Sequence, residues 1–344
     1  MTALKTIIEA EIAASGPMPL SRYMALCLSH PEHGYYMQQQ PFGAAGDFTT
    51  APEISQMFGE LIGLWLVHMW QESGAPDHFI LLELGPGRGT LMADILRVAK
   101  LAPAFLEAAE VCLLETSTRL QTVQRAALGE VRHIERLEDL PEGPVFAVAN
   151  EFFDALPIQQ FVKNDFGWQE RLVGAALTWN LSETIQRPDL DTAFEGLETG
   201  RIVELAAASK AVANLLTKRI STQGGAALVI DYGDLDGTGD TFQAVRQHKK
   251  ADPFTAPGEA DLTAHVRFKD LLQNGVAHGF ATQGAFLSRL GIDARRQALE
   301  ANGGQGLDTQ QARLVSPDEM GSLFKVLALL PEGYENIAGF ENGA

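Results

Sequence analysis

Glu83, Gly85, Gly87 and Gly89 lie within one short stretch of this chain. Glycines at that spacing permit positive φ and let a backbone approach a ligand closely. Ahead of them, Phe79-Ile80-Leu81-Leu82 predicts a strand covered on both faces. Behind them, Leu91, Ile95 and Val98 share one helix face. A glycine turn between strand and helix often cradles a phosphate. Here the third glycine comes one residue earlier than the G-x-G-x-x-G dinucleotide pattern requires. Glu83 ends the strand, where a carboxylate repels a pyrophosphate and attracts an ammonium. A ligand with an ammonium and a sulfonium but no phosphate fits better, which points to S-adenosylmethionine. The plainer alternative is a βα turn that needs glycine for geometry alone.

A second constellation is Asn150-Glu151-Phe152-Phe153-Asp154-Ala155-Leu156-Pro157. The order Asn, two residues, aromatic is similar to the Asn-Pro-Pro-Tyr-type motif of amino-group methyltransferases. Glu151 and Phe152 replace its two prolines. An Asn carbonyl accepts a hydrogen from a target nitrogen. Glu151 and Asp154 add two carboxylates, the groups that match a planar, forked guanidinium. One would hold it while the other localises the lone pair on the attacking nitrogen. Asn150, Glu151 and Asp154 are therefore the candidate catalytic residues. The competing reading makes Asn150 a helix cap ahead of a core of Phe152, Phe153 and Leu156; capping and catalysis are compatible.

Candidate cofactor residues extend to other strand ends, because open α/β sheets bind ligands there. Glu115 ends the second strand, where a carboxylate receives both ribose hydroxyls; it also reads as a capping acid before Thr116-Ser117-Thr118. Asp47, Thr50 and Glu53 form a polar loop that either closes over the ligand or caps the following helix. Asn150 joins the cofactor set with Glu83 and the three glycines. Asp231 ends a later strand as a supporting acid, and His265 reads as a structural histidine.

These residues need a frame to hold them. Strands are expected at Phe79–Glu83, Val111–Glu115, Val131–Ile134, Val145–Ala149, Ala226–Asp231 and Phe324–Leu329, the first four separated by helix-length segments. That rhythm predicts an α/β, doubly wound, mostly parallel sheet. Phe161–Lys163, Gln169–Val173 and Ala176–Trp179 break it and read as antiparallel strands, a β-hairpin insertion over 160–200. Helices are expected over Ile54–Trp70, Val203–Ile220 and Phe268–Val276. Leu4, Ile7, Ile8, Glu11 and Ile12 form a helical stripe near the start, and Ser21 would cap a second helix. Residues 232–265 read as loop-rich. The expected division is an N-terminal helical cap with a lid loop over 1–75, then the remaining domain over 76–344.

Composition narrows the function. The 344 residues carry 44 Asp and Glu against 26 Lys and Arg, a net charge of −18. Nucleic-acid backbones need a basic footprint, so DNA and RNA are disfavoured as partners. A cationic partner is favoured. Cys27 and Cys112 are the only cysteines and show neither metal spacing nor a disulfide framework. No metal is expected. No apolar run approaches a membrane span, and no presequence pattern opens the chain. The expected location is a bacterial cytoplasm, or the mitochondrial matrix for a eukaryotic chain.

The residues together resemble the MidA family of class I adenosylmethionine-dependent methyltransferases, which includes the mitochondrial complex I assembly-factor methyltransferase. The resemblance covers nearly the whole chain. It rests on Ser21-Arg22-Tyr23-Met24, Gly46-Asp47-Phe48, Ala51-Pro52-Glu53-Ile54-Ser55, Glu83 to Thr90, Asn150 to Pro157, Ile230-Asp231-Tyr232-Gly233, Asp261 to Val266, and Met320-Gly321 with Phe324-Lys325. Two positions depart from the family: Arg267, where an acid is usual, and Thr118, where proline is usual. The resemblance implies a Rossmann-like methyltransferase fold, adenosylmethionine as methyl donor, and an arginine of a complex I subunit as acceptor. Small-molecule methylation and a non-catalytic, adenosylmethionine-binding assembly chaperone are the alternative functions.

Overall fold

Phe79–Leu84 (β1) is buried at every position, Glu83 included. The computed structural model describes residues 2–38 and 50–341 and sets β1 inside a largely parallel sheet. The other strands are β2 (Ala109–Leu114), β3 (Arg132–Ile134), β4 (Val145–Asn150), β5 (Gly225–Asp234), β6 (Val276–Thr282) and β7 (Phe324–Pro331). Their order is β3-β2-β1-β4-β5-β7-β6. Pairing is parallel from β3 to β5, whereas β7 runs antiparallel to β5 and β6. This is the doubly wound, mostly parallel sheet that the strand rhythm predicts and the Rossmann-like fold that the family resemblance implies. The chain travels outward from β1 through β2 and β3, then returns to place β4 on the other flank of β1. That reversal is the topological switch point, where sheets of this kind bind ligands.

Register keeps the strand ends level. Leu84 pairs with both Leu114 and Ala149, and Asn150 pairs with Ile230. The pairing continues past the ends: Gly85 N donates to Leu114 O, Glu115 N to Ile134 O and Glu151 N to Ile230 O. Glu83, Glu115, Asn150, Glu151 and Asp231 are therefore brought to one edge of the sheet.

Helix α1 (Gln56–Glu72) buries Phe58, Leu61, Ile62, Trp65, Leu66 and Met69, the face expected from their spacing. Ser55 caps it by accepting from Met57 N. Helix α2 (Thr90–Ala99) packs closely on α1 because glycines face it. A Cβ on Gly59 would lie 2.5 Å from Asp94 Cβ, and one on Gly63 2.6 Å from Val98 Cγ1. Buried Glu60 receives Arg97 at 3.1 Å and Arg295 at 2.6 Å, and Arg97 also pairs with Asp94 at 2.7 Å. Phe79, Phe105, Trp70 and Phe146 form an aromatic cluster with centroid separations between 4.8 and 5.6 Å for the tightest pairs, Phe79–Phe105, Phe79–Phe146 and Trp70–Phe105. Helix α3 (Thr118–Leu128) follows β2 and is capped by Ser117.

The described residues form two compact units that interleave along the chain. The sheet above belongs to the described residues of Thr49–Phe153, Ala211–Asp234 and Leu271–Ala344. The other unit takes those of Met1–Phe48, Asp154–Lys210 and Leu235–Asp270. The boundary at residue 75 divides the chain by position, whereas each compact unit gathers segments far apart in sequence. The second unit holds the antiparallel insertion, Gln159–Asn164, Gly167–Val173, Trp179–Leu181 and Ile202–Leu205, with Met18–Pro19 added. Helices Ala3–Ser15 and Leu20–Ser29 also lie here. Leu4, Ile8, Ile12, Tyr23 and Met24 pack with Ile158, Val173 and Leu262 in its core.

Several local expectations change. Ile7 faces solvent, and Leu20 already opens the second helix, so Ser21 lies inside it. Ala176 and Leu177 take positive φ and form a turn, so the third insertion strand begins at Trp179. Val203 belongs to a strand, and the helix after it starts at Ala207. Residues 232–265 contain strands Gln243–Arg246, Lys249–Ala251 and Asp261–Thr263. The helix expected over Phe268–Val276 is a 3-10 turn at Phe268–Leu271; Gly275, at φ 87°, leads instead into β6. Phe268, Leu271, Leu272 and Val276 have helical spacing, but Gly275 interrupts it and Val276 pairs with Pro331 of β7.

Gly63→Val should destabilise the protein by about 1–3 kcal/mol, because the added methyls must push α1 away from Val98 and the Ile95 backbone. Denaturant titration with an unchanged m-value would register this; wild-type stability would contradict the close helix packing.

Candidate active site

Gly85, Gly87 and Gly89 have φ of 64°, 53° and 82°, so each occupies the left-handed region that disfavours side chains. A Cβ on Gly85 would also stand 2.9 Å from the Phe152 ring. Gly89 N donates to Pro86 O at 2.7 Å, closing the turn that starts α2. At the end of β1 Glu83 is 3% exposed, and its Oε2 has no hydrogen-bond partner among the described residues. Burial pushes its pKa up to about 8, although the Met92 backbone opposes this. The expected carboxylate is thus a protonated acid at neutral pH in the ligand-free protein. Desolvation causes this, and composition could not reveal it.

On the neighbouring strand, Asn150 Nδ2 donates to Glu151 Oε1 at 3.1 Å. Asn150 Oδ1 is buried and has no partner among the described residues. Glu151 holds φ at 50°, a strained value for a residue with a side chain. Its Oε1 also lies 3.4 Å from the Ala51 N–H that donates to it. The turn after Glu151 is fixed by Asp231, fully buried, whose Oδ2 accepts from Phe153 N at 3.0 Å and Oδ1 from Tyr232 N at 2.9 Å. Asn150 caps no helix here: strand, strained residue and turn succeed one another.

Glu115 accepts from Ser117 N at 2.7 Å through Oε1 and from Gln124 Nε2 at 3.2 Å through Oε2. Burial raises its pKa against these donors. Ser117, not Glu115, provides the side-chain cap of α3. Glu53 accepts from Thr90 Oγ1 at 2.6 Å, which ties the segment before α1 to the glycine turn; Arg88 lies 4.0 Å from its other oxygen. Thr50 occupies the N-cap position of the short helix Ala51–Ile54, with no side-chain capping bond. Asp47 lies outside the described residues, as does the 42–49 part of the expected lid. Asp154 belongs to the other compact unit. There its main-chain oxygen accepts from Ala264 N at 3.0 Å, and Tyr36 Oη donates to Asp261 at 2.9 Å. Burial, then the charges of Asp261 and Asp154, push the Tyr36 phenol up. Arg267, the departure from the family pattern, pairs with Asp236 and Asp270.

Sequence reading missed Gln124. Its side chain is fully buried and contacts Gly87 O, Glu115 and His133. Its signal was a polar residue four after Leu120 on the buried stripe of α3. No group of His, Cys, Asp and Glu able to hold a metal occurs among the described residues.

A buried carboxyl with one unpartnered oxygen, an unpartnered buried amide oxygen and a turn that excludes a Cβ, all at one switch point among the described residues, fit a cationic, amine-bearing nucleoside. The profile of a family described as "Putative S-adenosyl-L-methionine-dependent methyltransferase" matches residues 61–286. The chain belongs to this family and is an S-adenosylmethionine-dependent methyltransferase. It is 37% identical to the Drosophila melanogaster mitochondrial protein arginine methyltransferase NDUFAF7 homolog, over 94% of this chain and 84% of that one. It is 36% identical to the mitochondrial protein arginine methyltransferase NDUFAF7 of Homo sapiens, over 93% and 82%. A Burkholderia thailandensis structure bound to S-adenosyl-homocysteine superposes with a TM-score of 0.84 at 28% identity, covering 98% of this chain and 94% of that one. Adenosylmethionine is the methyl donor.

Glu83 carries a pH prediction. Its folded pKa of about 8 exceeds the ordinary value near 4.3. Between those values the folded, ligand-free protein retains a proton that the unfolded chain releases. Stability therefore falls as pH rises through the window. Glu83→Gln should raise the unfolding temperature of the ligand-free protein at pH 8.5 by more than at pH 5. An equal shift at both pH values would show that Glu83 ionises normally.

Proposed function

We propose that this enzyme methylates an arginine side chain of a protein, with a subunit of respiratory complex I as the acceptor expected from the family. One observation carries this reading: a buried amide oxygen without a partner, Asn150 Oδ1, beside the Glu151 carboxylate. When bound, the cofactor supplies an electrophilic methyl on a sulfonium. The glycine turn and Glu83 hold its amino-acid end, and Glu115 holds the ribose. Thr50 and Glu53 are assigned to the cover of the cofactor. Asn150 Oδ1 accepts a hydrogen from the acceptor nitrogen and orients its lone pair. Glu151 holds the guanidinium through a charge-assisted hydrogen bond. Holding donor and acceptor in line supplies proximity and orientation.

The names of the relatives support a protein substrate and a mitochondrial setting for the eukaryotic members. They lend no support to the cytoplasmic placement expected from sequence. The matrix is the proposed location if this chain is eukaryotic. Among the described residues no helix is long and apolar enough to cross a membrane.

Gly85→Val should abolish cofactor binding while the sheet still folds, because valine resists φ of 64° and collides with Phe152. Calorimetry with S-adenosylhomocysteine would expose an error if affinity survived. Glu151→Gln should retain that affinity but slow single-turnover arginine methylation about ten- to hundredfold, the worth of a charge-assisted hydrogen bond. Mass spectrometry of the complex I hydrophilic arm, with and without this gene, identifies the acceptor. An arm methylated identically in both would remove complex I from the proposal. Cofactor binding without any methylated arginine would remove the arginine acceptor itself.

A further inference from the structure

Gln124 sits fully buried in α3, away from any strand end, yet it spends both amide hydrogens on the cofactor face of the sheet. Nε2 donates to Gly87 O at 2.7 Å and to Glu115 Oε2 at 3.2 Å. Oε1 lies 2.9 Å from His133 Nε2 on β3. An amide whose nitrogen donates twice must accept at its oxygen, so His133 Nε2 carries the proton in this contact. That bond sets which way the amide faces. Gln124 also packs beside the turn, where a Cβ on Gly89 would meet its Cγ at 3.7 Å.

We propose that Gln124 is a positioning residue for cofactor recognition. It locks the glycine turn and the Glu115 carboxylate into one arrangement, and His133 holds the amide in its donating orientation. The proposal rests on the assignment of Glu115 to the ribose. Neutral, doubly donating chemistry is what the position needs. A glutamate of the same shape would remove both donors and set a second carboxylate against Glu115 and the Gly87 carbonyl. An alanine would remove the donors without adding that repulsion. Two roles thus predict opposite orders. If Gln124 only fills space, Gln124→Glu is the milder change, because it keeps the volume. If Gln124 positions Glu115, Gln124→Glu is the more harmful one.

The experiment measures S-adenosylhomocysteine affinity by calorimetry, and KM for the methyl donor against kcat, on the full-length enzyme. Gln124→Ala should raise Kd and KM about tenfold, and Gln124→Glu further still, while kcat at saturating cofactor stays near wild type. In a Glu115→Ala background the extra penalty of Gln124→Glu over Gln124→Ala should shrink to the part that the Gly87 carbonyl imposes. His133→Ala, at a partly exposed site, provides a milder variant that should raise Kd about threefold. Wild-type affinity in Gln124→Glu, a loss confined to kcat, or an extra penalty undiminished without Glu115 would each overturn the proposal. Should Glu115→Ala itself bind normally, the ribose assignment falls. Should Glu115→Ala bind weakly while the Gln124 and His133 variants bind normally, only the positioning role falls.

Discussion

The main-chain pairing of β1 with β4 governs the chemistry of the sheet unit. It is the junction among the parallel strands where the winding order reverses. Glu83 and Asn150 are 67 positions apart in sequence, yet that pairing sets their strand ends side by side. Parallel strands buried on both faces leave water little access to such ends. The polar atoms there lose solvent before any ligand replaces it. An acid pushed up to about 8 and an amide oxygen without a partner are the direct results.

Buried polar atoms of this kind are costly unless something satisfies them. The rest of the unit offsets that cost. Asp231 uses both carboxylate oxygens on backbone N–H groups and so fixes the turn that follows the strained Glu151. Glu60, though buried, faces two arginines, so it stays paired while it joins α1 to its neighbours. The aromatic cluster of Trp70, Phe79, Phe105 and Phe146 packs beneath the same strands. Rigid support of this type lets a strained, under-satisfied site persist.

The second unit has a different logic. Its strands are short and antiparallel, and its core comes from two N-terminal helices and a late strand. Arg267 is absorbed there by ion pairs with Asp236 and Asp270, and lies 4.5 Å from the Phe194 ring centroid. Arg267 is thus held by local acids rather than left as an isolated charge. Asp154, next in sequence to the strand-end motif of β4, also belongs to this unit. Adjacency along the chain therefore did not reveal its setting.

Local chemistry determined the parts that only local chemistry needs. Three glycines foretold the positive φ values of the turn, because few other residues tolerate them. Apolar runs foretold β1, β4 and β5, and spacing foretold the buried face of α1. Tertiary structure decided what depends on distant partners. β6 took strand form because β7 offered an edge, against a helical pattern in the preceding segment. Glu83 took up a proton because burial, not sequence, sets its solvation. Gln124 gained its contacts because α3 packs over the glycine turn, a meeting that no window of sequence contains. Backbone conformation and burial pattern are written residue by residue; pairing, register and desolvation arise only when distant segments meet.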